Sequence, residues 1–343
     1  MKLPYLTRNC LAIGLMVVAQ AASVGALAQT QNTSASASLP TDAIFAPDSF
    51  WYKPIPADTR LHANSDGFVA DFLRQKRTFY GTVTINTTQW ASPVYVVGPD
   101  VPNQRIDQWV CMPKFGRNAE LVQQWMAVPW PAYSTPAGGA DAEMTIYQPS
   151  TDTIWEFWLT RKSGAQWEAC WGGKMQNASK SDGRWSAFFG TTATGLPFLG
   201  GQITAEELAR GEIRHVIGIS LPEPEASNVV WWPAKRSDGW NPKNDANRIP
   251  EGARFRLDPS VNVEALGMRP AGKIIARAAQ KYGFVVWDKA GAISLRSQNP
   301  MTYTSVGQPD PYPALFSNAP AYAVLEGFPW ERLQFLPKDY GKP

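Results

Sequence analysis

The stretch DAEMTIYQPSTDTIWEFW, from Asp141 to Trp158, constrains the fold more than any other part of the chain. On either side of PSTD, apolar and polar residues alternate with the period of a β-strand, whose successive side chains point to opposite faces. With PSTD as the turn, Gln148 faces Thr153, Tyr147 faces Ile154, Thr145 faces Glu156, Glu143 faces Trp158 and Asp141 faces Thr160. One face then carries Ala142, Met144, Ile146, Trp155, Phe157 and Leu159, an apolar set fit for a core. The other carries Asp141, Glu143, Thr145, Tyr147, Glu156 and Trp158. A slip of one residue would exchange the two faces.

Further short runs rich in β-branched and aromatic residues are expected to be strands: Thr78 to Asn86, Pro93 to Gly98, EACWGGKM, IRHVIGISL, VVWWPA and FVVWDKAGAISLR. Helices are few. TAEELARG has Thr204 and Glu207 at capping-box spacing and Gly211 as a stop. RPAGKIIARAAQKYG has Pro270 in its first turn and Gly283 past its end. SDGFVADFLRQKR starts at Ser65 and sets Phe68, Val69 and Phe72 on one side. The absence of βα alternation excludes a Rossmann fold and a β/α barrel. The expected class is mostly β, an antiparallel β-sandwich or jelly roll of concanavalin-like type with two or three peripheral helices.

The N-terminus sets Lys2 and Arg8 before an apolar run that ends in Ala26-Leu27-Ala28, the layout of a secretory signal peptide over residues 1–28. Residues 29–40 are small and polar, an expected disordered tether. Residues 41–343 are then one large β-sandwich domain of a secreted or periplasmic protein. Losing Lys2 and Arg8 from the formal charge of +3 leaves about +1, which points away from nucleic acid and from anionic membranes. Two cysteines survive export, Cys111 and Cys170; a disulfide between them would close a long loop. With so few Cys and His, no zinc site is expected, and Asp238, Asn241 and Asp245 lack EF-hand spacing. No cofactor is expected.

The plain reading of the acidic face is a solvated outer surface. The sharper one is a sugar-processing surface. Glu143 and Glu156 are diagonal neighbours, with backbones roughly 7 to 8 Å apart, so their carboxyls fall within the ~5 to 9.5 Å used in glycoside hydrolysis. Crowding raises one pKa and leaves a proton donor beside an anion, with Asp141 tuning the pair. Trp158 and Tyr147 would be platforms for sugar rings, as would Trp231, Trp232 and Trp240 around the polar loop from Lys235 to Asp245. A lyase reading uses His215 or Tyr147 as base, with Arg214 or Arg161 neutralising a uronate. His215 also suits a buried structural role. The absence of a G-x-S-x-G elbow argues against a conventional esterase.

The strings YQPSTDTIWEFW, GLPFLGGQITAEELARGEIRH and IPEGARFRLDPS, followed by AAQKYGFVVWDKAGA, resemble a family of secreted bacterial proteins without an assigned activity. That resemblance spans about residues 137–295 and implies export but no chemistry. The acids on one strand are similar, in architecture only, to those of laminarinase-type sandwich hydrolases; the acid-x-acid-x-x-acid spacing is not met. The leading expectation is a glycoside hydrolase acting on an extracellular polysaccharide, ahead of a polysaccharide lyase and a non-catalytic carbohydrate-binding or envelope-associated protein.

Overall fold

Among the described residues, the two largest of four sheets carry the fold. Their strands, in chain order, are β1 (Ala35–Ser36), β2 (Thr84–Asn86), β3 (Val94–Val97), β4 (Met144–Gln148), β5 (Thr153–Trp158), β6 (Trp171–Gln176), β7 (Ile217–Leu221), β8 (Arg254–Leu257), β9 (Phe284–Lys289), β10 (Ser294–Arg296) and β11 (Leu333–Phe335). The first sheet runs β1-β3-β4-β5-β6 and the second β11-β8-β9-β7-β10-β2. The computed structural model describes residues 35–36 and 43–343, so the expected signal peptide and most of the expected tether lie outside the described residues. Inside that stretch, Ala35 and Ser36 pair antiparallel with Val97 and Val96. Residues 43–343 fall within one unit.

The chain is mostly β and forms a sandwich, with mixed sheets. β3–β4, β7–β9 and β2–β10 are parallel, while the other neighbours are antiparallel. Parallel neighbours need long crossovers, and the one from β7 to β9 contains helix α3 (Pro270–Lys281). Pro270 opens α3, and Gly283 leaves it at φ 75°, a conformation that favours glycine. Helix α2 (Ala205–Arg210) carries the complete capping box between Thr204 and Glu207 and stops at Gly211, with φ 87°. Helix α1 (Ser65–Thr78) buries Phe68, Val69 and Phe72.

Strand alternation in the second sheet separates two cores. Phe284 and Val286 of β9 join Ile217, Ile219, Phe255, Leu295 and Phe335 under α1 and α3. Phe255 stacks on Phe335 at 4.6 Å and meets Phe284 at 5.2 Å. Val285 and Trp287 point the other way, into a core shared with the first sheet and with Trp51, Phe198 and Trp185. There Phe198 meets Trp287 edge-on at 5.8 Å. On the far side of the first sheet, Trp125 and Trp130 each lie 5.2 Å from Phe157.

One expected strand is shortened and another is absent. The run from Thr78 forms a strand only at Thr84–Asn86, because α1 extends through Thr78 and a turn follows at Tyr80 and Gly81, both with positive φ. VVWWPA is a loop with a single bridge from Val230 to Glu251, and Pro233 has no N–H to offer a ladder. Cys111 and Cys170 are joined, with Cα atoms 5.6 Å apart.

Candidate functional site

The β4–β5 hairpin has the register its alternation implies. Gln148 pairs with Thr153, Tyr147 with Ile154 and Thr145 with Glu156. Pro149–Thr151 form a single 3-10 turn, and Asp152 takes the left-handed conformation that returns the chain. Met144, Ile146, Trp155 and Phe157 are buried, as their face requires.

The acidic face is not a surface. Glu143 and Glu156 are both 0 % exposed, because this face turns inward against the second sheet and the segment before it. Arg296 of β10 reaches across the sandwich, with Nη1 3.2 Å from Glu143 and Nη2 2.7 Å from Asp288. Glu156 accepts from the Phe198 backbone N–H at 2.6 Å and from the Thr191 hydroxyl at 2.8 Å. Burial pushes Glu143 up to about 7 against the pull of Arg296, and pushes Glu156 up to about 7 against its hydrogen bonds. Substrate has no path to either oxygen pair, so their expected roles as direct catalysts on an open face are corrected. Tyr147 is buried on the same face and is no sugar platform.

His215 is also reassigned. It is buried, gives Nδ1–H to the Val216 carbonyl at 2.8 Å, and sets Nε2 3.1 Å from Glu207. Burial alone would raise Glu207, but His215 and Thr204 outweigh it and hold the carboxyl below its usual range. His215 therefore locks the capping box of α2 to the start of β7. Arg161 pairs with Glu168 at 3.0 Å and Arg214 with Glu212 at 2.8 Å, both on the surface. The lyase set is not brought together. Trp231 and Trp232 are buried, Trp231 against His62 and Phe68, which removes them as platforms. Trp240 is 67 % exposed. Asn241, proposed beside it in an oxygen-rich loop, is spent on Glu225 and Asp245. Among the described residues no group of three or more His, Cys, Asp or Glu is placed to hold a metal.

What remains is the irregular end of the hairpin. Regular pairing ends at Met144–Phe157; beyond it Ala142 and Leu159 adopt φ of 40° and 52°, while the Leu159 N–H still donates to the Asp141 carbonyl and the Thr160 N–H to that of Ala142. Such values are strained for residues with a side chain, and strain of this kind gathers at functional sites. The distortion places Asp141 so that its Oδ1 accepts from Trp158 Nε1 at 3.1 Å, with both residues half-buried. Asp288, at the end of β9, retains 15 % side-chain exposure. Burial pushes Asp288 up to about 7; Arg296 opposes this, while Asp238 and Asp141 add repulsion. Behind it Glu251 is raised well above its usual range by burial and by Asp238 and Asp288. Arg236 binds the carbonyls of Ala193, Gly190 and Thr192, within electrostatic reach of Asp288.

Asp288 and Arg296 were missed at the level of sequence. The available signal was one acid closing FVVWD and one cation closing ISLR, in otherwise apolar strands. No family model, no curated protein and no solved structure matches this chain.

Proposed function

We propose that this protein is an exported carbohydrate-active enzyme of the glycoside hydrolase type, with its chemistry at Asp141, Trp158 and Asp288. The observation that carries the reading is Asp288: a partly exposed carboxyl held near neutrality, beside a second acid that is hydrogen-bonded by a half-buried tryptophan. At neutral pH a carboxyl of this kind keeps a proton to give. Asp288 protonates the departing glycosidic oxygen, the sugar–oxygen bond breaks, and Asp141 takes a proton from the water that replaces it. Trp158 offers a flat apolar face to the ring, and Arg296, itself paired with Glu143, holds Asp288 from behind. The Cys111–Cys170 bond and the leader-like N-terminus support an oxidising, extracytoplasmic location.

The test is product analysis over a panel of bacterial and plant polysaccharides, with Asp288→Asn compared to wild type and folding checked by thermal melting. Loss of at least about a hundredfold in turnover is expected, the scale of a missing general acid. Full turnover by the variant would overturn the assignment. Binding without product by wild type would instead select a carbohydrate-binding protein, a reading that the closure of both glutamates also supports.

A further inference from the structure

A second feature lies at the end of β6 opposite Trp171, the residue that pairs with Trp158. The end of that strand and the turn after it enclose a cleft of about 430 Å³, whose lining includes Lys174, Asn177, Lys180, Ser181, Arg184 and Ser186. Three cations face it, and no carboxylate is among the lining residues.

The cations are held in place. The Lys174 ammonium sits 5.5 Å from the centre of the Trp155 ring, and its backbone N–H donates to Gln124. The Arg184 guanidinium lies 5.7 Å from the Trp232 ring. An aromatic floor fixes a long basic side chain while leaving its charged head free to bind. Counter-charge is short. Among the described residues, no ion pair joins Lys174 or Lys180 to a carboxylate; Asp182 pairs with Arg184 at 2.6 Å, and Asp152 turns its oxygens to Ser179. Lys235 adds to the field from outside the lining: burial and then repulsion from Arg184 lower its ammonium. Cations that crowd one another in a concave site, with hydroxyl and amide donors beside them, favour a bound anion.

We propose that this cleft is a binding site for a compact oxyanion, namely a phosphate, sulfate or carboxylate group, either free or carried on an acidic glycan. Lys174 and Lys180 supply its charge, Arg184 its planar donors, and Ser181 and Ser186 its remaining hydrogen bonds. The site stands apart from the hydrolytic reading and survives if Asp288 proves inert.

Calorimetry on the full chain with inorganic phosphate, inorganic sulfate and trigalacturonate tests it, with a neutral trisaccharide as control. The double variant Lys174→Met/Lys180→Met keeps both apolar stems and removes both charges. Binding of at least one anion by wild type is expected, weakened about tenfold or more in the variant and weakened again by added salt. Tighter binding of trigalacturonate than of the inorganic ions assigns the site to a glycan-borne carboxylate; the reverse order assigns it to the free ion. Equal affinity in wild type and variant, or no binding of any of the three by wild type, would overturn the proposal. An unchanged melting temperature separates lost charge from lost fold.

Discussion

The two cores of this sandwich bury their side chains by different means. The core under α1 and α3 is apolar nearly throughout, with Phe255, Phe284 and Phe335 at its centre. The core between the sheets is rich in tryptophan and encloses Glu143, Glu156 and Arg296 among its rings. The first stabilises through area removed from water. The second spends part of that gain on desolvating charges, which is worthwhile only while each charge keeps its partners. Apolar packing and buried charge therefore reside on opposite faces of the second sheet, with Leu295 on one and its neighbour Arg296 on the other.

The largest effect should come from the apolar side. Phe255→Ala removes a ring packed between Phe284 and Phe335 and should cost about 3 to 5 kcal/mol by denaturant titration; a loss below about 1 kcal/mol would show that this core is not the main source of stability. On the charged side, Arg296→Met leaves Glu143 and Asp288 without their cation and should cost up to about 3 to 5 kcal/mol at pH 8.

That cost depends on pH, and its sign follows from the raised carboxyls. Glu143, Glu156 and Asp288 titrate near 7 in the fold, above their unfolded values, so the native state holds more protons than the unfolded chain in between. Their contribution is complete below the unfolded range and is lost as pH rises through about 7, at no more than about 1.4 kcal/mol per pH unit for each group. Wild type should thus melt at a higher temperature at pH 5 than at pH 8. The Arg296→Met penalty should shrink at pH 5, where the two carboxyls are already neutral. A penalty independent of pH would break the distinction between the cores. The smallest effect is local: Thr204→Ala opens the capping box and should cost about 1 kcal/mol, with Glu207 and His215 losing their shared anchor.

Local chemistry was readable wherever the cause was local. The hairpin register, the Thr204–Glu207 box, the Pro270 and Gly283 boundaries and the inward face of α1 all follow from residues a few positions apart. What was not readable was the cover on the acidic face. An outer face and an inner one paired with charge from another sheet give the same alternation, and the residues that settle it, Arg296 and the Phe198 N–H, lie far along the chain. Trp231 and Trp232 fail for a related reason: a loop without regular pairing can still be packed under a helix and a C-terminal segment, as the Trp232 N–H bond to Asp339 illustrates.

Arg296 belongs to the second sheet, and one of its two carboxylate partners lies just before β4 in the first. Separating the layers would pull the Glu143 carboxyl off that guanidinium before water reaches it, while Arg296 keeps Asp288, its partner within its own sheet. Intermediate openings are therefore the least favourable, and the seam behaves as a latch that couples the two halves into a single cooperative unit.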